Sequence, residues 1–261
     1  MCKICDIPSL PFATGRILRK YEVQYFRCPE CGLVQTEEPY WLDEAYAQAI
    51  GAADVGLLSR NVNMARTTEV VITAFFNPDK RFVDYGGGYG AFVRLMRDAG
   101  FDFHLYDKHC ANLFAQGHEV APDNRDKFEL LTAFEVFEHL AEPTKELDQM
   151  LEKSSNIFLS TSLIPLRDPP KPGHWWYYSM DGGQHITLYT RESISRLAAR
   201  AGLRAYSRGN THLLTKKRLP DALFRLLCGG RVSRLGELLL PNRRSLLDSD
   251  AERFGTNNWR G

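Results

Sequence analysis

A parallel α/β sheet, doubly wound with helices on both faces, is the fold this sequence predicts, and three observations carry it. Phe82 to Gly90 reads FVDYGGGYG, an apolar run ending in an acid and a glycine cluster, and Ala91 to Gly100 then follows a helical pattern. A second apolar run, FDFHLYDK, ends in another acid, Asp107. Beyond it, short apolar runs alternate with amphipathic stretches as far as Thr215. Glycines after a strand let the backbone turn sharply and let a ligand approach with no Cβ in the way, which is how such sheets open a nucleotide site. An acid at the end of the next strand suits hydrogen bonds to ribose hydroxyls.

The elements follow in order. The segment ATGRILRKYEVQYFR reads as two short strands. Pro39 to Pro78 is helical, with apolar residues three and four apart. Strands are expected at Arg81 to Asp84, Asp102 to Tyr106, Gly117 to Val120, Phe128 to Phe134 and Asn156 to Thr161, the last apolar enough for a buried central position. Helices are expected at Ala91 to Ala99, Thr144 to Lys153 and Arg191 to Ala201, the last opened by Thr190 as N-cap. Leu203 to Ser207 and Thr211 to Thr215 read as a closing pair of strands. Leucines at helical spacing with arginines between them mark the tail from Leu219 as a helical extension, packed on the domain or forming a homodimer contact. The chain thus divides into 1–38, 39–78, 79–218 and 219–261.

Bulk properties exclude several classes. A chain of 261 residues can bury a full core, and 44% apolar with 25% charged residues is ordinary for a globular protein. The net charge of +1 and dispersed basic residues give no footprint for nucleic acid. No apolar run approaches the roughly 20 residues that span a bilayer. The start, MCKICDIPSL, lacks a signal-peptide apolar region, so a cytoplasmic location is expected.

Four of the six cysteines form two C-x-x-C pairs, Cys2 with Cys5 and Cys28 with Cys31. Each pair sets two sulfurs on one tetrahedral ion through a tight turn, and four thiolates close the site to water. A structural zinc is expected there, supplying folding energy that so short a segment cannot draw from its own core.

The glycine run matches the nicotinamide fingerprint G-x-G-x-x-G poorly, because its third glycine would fall at Ala91 or Phe92. The set VDYGGGYG, Asp107, LLTAFEVFEHLAEP and WWYYSMDGGQHITLYTRESISRLAARAGL resembles class I S-adenosylmethionine methyltransferases. The layout with an N-terminal four-cysteine module is similar to that of sugar and small-molecule methyltransferases. The chain departs from the pattern at Glu129, where the family more often has Asp, and lacks the longer C-terminal domain of the sugar enzymes. The resemblance implies a Rossmann-like seven-stranded sheet and S-adenosylmethionine as cofactor. It further implies a small acceptor, a nucleotide-sugar or glycan precursor, methylated on oxygen or carbon. The competing readings are a non-catalytic cofactor-binding scaffold and a nicotinamide-dependent oxidoreductase.

The resemblance places Asp84 near the methionine amino group and Gly86, Gly88 and Gly90 against the cofactor as backbone contacts. Asp107 accepts both ribose hydroxyls, since a carboxylate offers two acceptors to a vicinal diol. Phe134 and Glu135 hold the methionine end, and Tyr46 and Arg60 lie on helices that fold over the cofactor, with Arg60 set to pair with its carboxylate. A hydroxyl acceptor must lose a proton, a task for histidine. His185 is the first candidate for that base and His139 the second, as base or substrate ligand. Glu138 orients a histidine or binds a sugar hydroxyl. Trp176, Tyr177 and Tyr178 stack on the acceptor or form a lid that excludes water.

Overall fold

Alternating apolar and polar residues in the first 36 positions make a meander. In the computed structural model, which describes residues 1–47, 55–230, 243–253 and 255, strands β1 (Leu10–Ile17) and β2 (Tyr21–Arg27) form an antiparallel hairpin with a bulge between Pro11 and Ala13. Strand β3 (Val34–Thr36) adds to β2. Contacts divide the chain into two compact units, Met1–Asp54 with Ala133–Arg218, and Val55–Thr132 with Leu219–Gly261.

The first unit contains that meander and the short helix α1 (Leu42–Ala45). Residues 1–38 do not close on themselves. Val34 and Gln35 pair with Leu188 and Thr187 of a two-residue strand, β8 (Thr187–Leu188), giving the sheet order β1-β2-β3-β8. Ile17, Val23, Tyr25, Val34 and Trp41 share one core with Tyr177, Tyr178, Ile186 and Leu188. The unit also holds the end of β6 (Leu130–Phe134), helix α4 (Pro143–Lys153) and β7 (Asn156–Ser160). Helix α5 (Arg191–Arg200) and the hairpin β9 (Arg204–Arg208) and β10 (Thr211–Thr215) complete it. Pro143 opens α4, where a missing N–H costs nothing. Thr190 caps α5 as its sequence suggests, in a reciprocal box with Ser193. Strand β10 runs antiparallel to both β7 and β9, and the order here is β6-β7-β10-β9.

The second unit holds helix α2 (Leu57–Phe75), β4 (Arg81–Tyr85), α3 (Ala91–Asp98), β5 (Asp102–Tyr106) and the start of β6. Strand β4 lies between β5 and β6 and is parallel to both. The expected strand at Gly117 to Val120 is reduced to a bridge, Leu105 to Glu119, with Val120 donating to the Leu105 carbonyl at 2.7 Å. Pro122 removes a donor just beyond it and ends the pairing. Six strands therefore carry the α/β sheet among the described residues, where seven were expected. The tail gives helices α6 (Asp221–Leu227) and α7 (Leu247–Arg253), and the leucine-rich stretch 231–242 lies outside the described residues. Asp250 of α7 is buried and binds Arg97 through Nε and Nη2 at 2.8 and 2.7 Å and Arg94 at 2.9 Å. That fork–fork pairing holds α7 on α3.

Candidate active site

Within the second unit, β4 delivers Asp84 to a fully buried position and the chain then turns through Gly86 to Gly90. Gly88 has φ +59, and among the described residues no heavy atom beyond its chain neighbours lies within 4 Å of where its Cβ would stand, so the turn leaves a cradle a side chain would fill. At Gly87 a Cβ would lie 2.2 Å from Asp84 Oδ2. That close approach accounts for the middle glycine, for which the sequence offered no role.

Asp107 stands at the end of β5 and accepts three backbone N–H groups, from Gly88 at 2.8 Å, His109 at 2.7 Å and Cys110 at 2.8 Å. The carboxylate therefore ties the glycine turn to the next strand. Beside it is a pocket of about 400 Å³ lined by Asp107, Cys110, Asn112, Gln116 and Glu119. Asn112 donates to Glu119 at 2.6 Å. Asn112, Gln116 and Glu119 escaped sequence reading because their run has no periodicity. The rule that ligands sit beyond the carboxyl ends of strands would have pointed to them. Arg60 is exposed on α2.

Burial raises the Asp84 carboxyl to about 7, although Thr132 donates to its Oδ1 at 2.6 Å. Its folded-state pKa lies above the ordinary aspartate value, so its stabilising proton is fully held below about pH 4 and is lost as pH rises through about 7. Asp84→Asn keeps the hydrogen-bond acceptor and cannot ionise. The variant should flatten the fall in melting temperature between pH 5 and pH 8, recovering a few kcal/mol at the upper end. Identical pH slopes for parent and variant in thermal melts would show that Asp84 is already ionised in the folded protein.

The first unit gathers a second group. The 3-10 turn Phe137–His139 follows β6 and carries Glu138 and His139, and the loop before β8 carries His185. The two segments are joined by the Ile186 N–H donating to the Glu138 carbonyl at 2.9 Å. Glu138 is 0% exposed. Its Oε1 accepts from the Tyr177 hydroxyl at 2.5 Å, and its Oε2 has no hydrogen-bond partner among the described residues. Burial, together with the nearby negative charge of Glu135, lifts its carboxyl to about 8. The rings of His139 and His185 are 4.9 Å apart. His185 donates its Nδ1–H to the Tyr177 carbonyl at 2.6 Å, which puts the imidazole lone pair on Nε2. Desolvation, with His185 alongside, pushes His139 down to about 3 and keeps it neutral.

Tyr46 is exposed and its hydroxyl meets His139 Nδ1 at 3.2 Å. Glu135, in left-handed backbone with φ +53, accepts from Ser160 Oγ at 2.5 Å; such a conformation in a non-glycine residue is held only where the surroundings impose it. Phe134 is half-buried beside it and packs edge-on against Phe158. Tyr177 and Tyr178 are fully buried, with hydroxyls given to Glu138 and to the Pro170 carbonyl, whereas Trp176 is 77% exposed. Thr161, at 3.1 Å from the Tyr177 hydroxyl, extends the buried network and had no signal in the sequence.

The four cysteines also converge. One sulfur from each lies within 4.8 Å of the others, and none is in a disulfide. Backbone N–H groups of Ile4 and Cys5 point at Cys2 Sγ, at 3.4 and 3.3 Å, and that of Cys31 points at Cys28 Sγ at 3.5 Å. The Cys31 thiol, 3.8 Å from Cys2, draws Cys2 down to about 5 and is itself pushed up. This donor set suits a tetrahedral zinc ion.

No curated protein matches the chain. Solved structures with a similar chain course include TnmH (19% identity, 68% of this chain and 60% of that one, TM-score 0.45). Another is human N-acetylserotonin methyltransferase in complex with SAM (15%, 68% and 66%, 0.43). The mitomycin 7-O-methyltransferase MmcR is a third (13%, 67% and 59%, 0.43). The chain spans about 60% of the length of the first of these. A family model described as a methyltransferase domain matches residues 60–208, more than half of the sequence, running from within α2 through the glycine turn, Asp107, Glu138 and His185. The chain belongs to the methyltransferase-domain family.

Proposed function

We propose that this protein transfers a methyl group from S-adenosylmethionine to a hydroxyl of a small molecule, with a sugar or glycan precursor as the first choice of acceptor. The observation that carries the reading is the glycine turn tied by Gly88 N–H to Asp107 inside the matched methyltransferase domain. The residues present fit the cofactor. An open cradle stands at Gly88, an anionic double acceptor at Asp107, and a buried carboxyl at Asp84 that a cationic amino group would return to its ionised state. Bound there, S-adenosylmethionine would supply a methyl group activated on a sulfonium, which would pass to the acceptor oxygen as that oxygen gives up its proton, leaving S-adenosylhomocysteine.

The chain's own residues then have two tasks. Gly86, Gly88, Gly90 and Asp107 position the cofactor, with Arg60 assigned to its carboxylate, and positioning supplies much of the rate. His185, His139 and Glu138 receive the acceptor. The Tyr177 carbonyl holds His185 in the tautomer that presents Nε2, which suits it to take the hydroxyl proton. The exposed ring of Trp176 offers a face for a sugar to stack on. Cys2, Cys5, Cys28 and Cys31 hold a structural zinc with no open position for chemistry.

His185→Ala should lower turnover about 100-fold or more while leaving S-adenosylmethionine affinity within about twofold. Release of S-adenosylhomocysteine with nucleotide-sugar and other hydroxyl acceptors, beside calorimetric binding, measures both. Equal turnover in the variant removes His185 from the mechanism. Cofactor binding with no turnover on any acceptor favours a non-catalytic scaffold.

A further inference from the structure

Glu138, His139 and His185 make a donor set that a general base alone does not require. We propose that these three side chains bind a divalent first-row transition-metal ion, which in turn holds the acceptor oxygen. The proposal rests on reading this cluster as the acceptor site and changes one assignment within it, since His185 becomes a ligand.

One ligand atom from each residue lies within 4.8 Å of the others, close enough for small side-chain adjustments to bring all three onto a single ion. The independent observation is Glu138 Oε2, which belongs to a 0% exposed residue and has no hydrogen-bond partner among the described residues. A buried carboxylate oxygen without a donor is costly, and a cation satisfies it. The outer shell is in place as well. Metal-ligating histidines give their other ring nitrogen to a carbonyl or similar group. His185 does so with the Tyr177 carbonyl at 2.6 Å, and His139 Nδ1 lies 3.2 Å from the Tyr46 hydroxyl. Tyr177 thereby supports two of the three ligands, since its hydroxyl also holds Glu138 Oε1. The Ile186-to-Glu138 backbone bond fixes the spacing between the two ligand-bearing segments.

Two imidazoles and a carboxylate suit Mn²⁺, Fe²⁺, Co²⁺ or Zn²⁺ and leave coordination positions open. An alcohol bound at such a position loses its proton to solvent more readily than a free one, so the ion performs the activation otherwise given to a base. An acceptor with a second oxygen beside the methylated hydroxyl, such as a vicinal diol, would chelate best.

Mn²⁺ is the probe. Titration of the zinc-loaded full chain, followed by loss of the free Mn²⁺ paramagnetic resonance signal, should show one Mn²⁺ bound per chain. His185→Ala should weaken it at least tenfold, and Tyr46→Phe, which removes only the outer-shell hydroxyl, about tenfold. Folded parent protein that binds S-adenosylmethionine but no Mn²⁺ overturns the proposal and leaves the methyltransferase reading intact. Mn²⁺ binding unchanged in both variants overturns it too, because the ion then sits elsewhere. Mn²⁺ binding lost in the variants, in a chain that does not bind S-adenosylmethionine, supports the metal site and counts against the proposed cofactor instead.

Discussion

Cys28→Ser should take the zinc content of the purified chain from one ion to near zero and lower its melting temperature by roughly 10 °C or more. Cys28 is fully buried and its sulfur is one of four that lie within 4.8 Å of one another. Binding energy at such a site is folding energy, on the order of 10 kcal/mol in zinc-finger peptides. The damage should not stop at residue 38. Thr190 Oγ1 donates to the Cys31 carbonyl at 2.5 Å, Arg200 to the Ile4 carbonyl at 2.6 Å and Lys3 Nζ to Thr187 at 3.1 Å. Strand β3 pairs with β8, which begins two residues after His185. Loss of the metal should therefore raise amide hydrogen exchange in β8 and at the start of α5 and weaken the hold on His185. Metal analysis and exchange measured on the same preparation check this. A variant that keeps one zinc, or a metal-free chain that melts with the parent, would overturn the four-thiolate site.

The second large effect is expected at Asp107. Asp107→Ala should weaken S-adenosylmethionine binding by about 100-fold or more, because two hydrogen bonds to an ionised acceptor contribute about 1.5–3 kcal/mol each. Part of that loss is indirect, since the carboxylate also receives the N–H groups of Gly88, His109 and Cys110 and so shapes the turn. Asp107→Asn removes the charge and one of the two acceptor oxygens. Its single amide oxygen can take either the Gly88 N–H or the His109 and Cys110 N–H groups but not both, so its affinity and its melting temperature should both fall between those of the parent and the alanine variant. Calorimetry on the three proteins decides. Equal affinity for parent and Asp107→Ala would remove the ribose contact, and a well-folded parent without measurable binding would bring the dinucleotide reading forward.

Much of this was legible in the chain. Strand–glycine–helix punctuation is local chemistry, so β4, α3 and β5 fall where the apolar runs and glycines put them. The cap at Thr190 and the hairpin β9–β10 are equally local. So is the cysteine spacing, because a C-x-x-C turn needs nothing beyond itself to bring two sulfurs together. The failed strand at Gly117 to Val120 shows the limit. Four residues suffice for an apolar pattern, but pairing also depends on their C-terminal neighbours, and Pro122 ends it.

The sequence by itself determined the fold class, the glycine turn with its acid at Asp107, and the four-sulfur set, all products of short-range geometry and residue type. Only the tertiary structure decided that the cysteine segment shares a sheet and a core with residues near 188, because pairing of β3 with β8 spans about 150 positions that no local pattern links. It alone brought Glu138, His139 and His185 together, and it alone turned Tyr177 inward, where its carbonyl sets the tautomer of His185 and its hydroxyl holds Glu138. Burial, which fixes which buried groups hold a proton and which oxygen is left without a donor, is a property of the folded packing and is absent from any one segment.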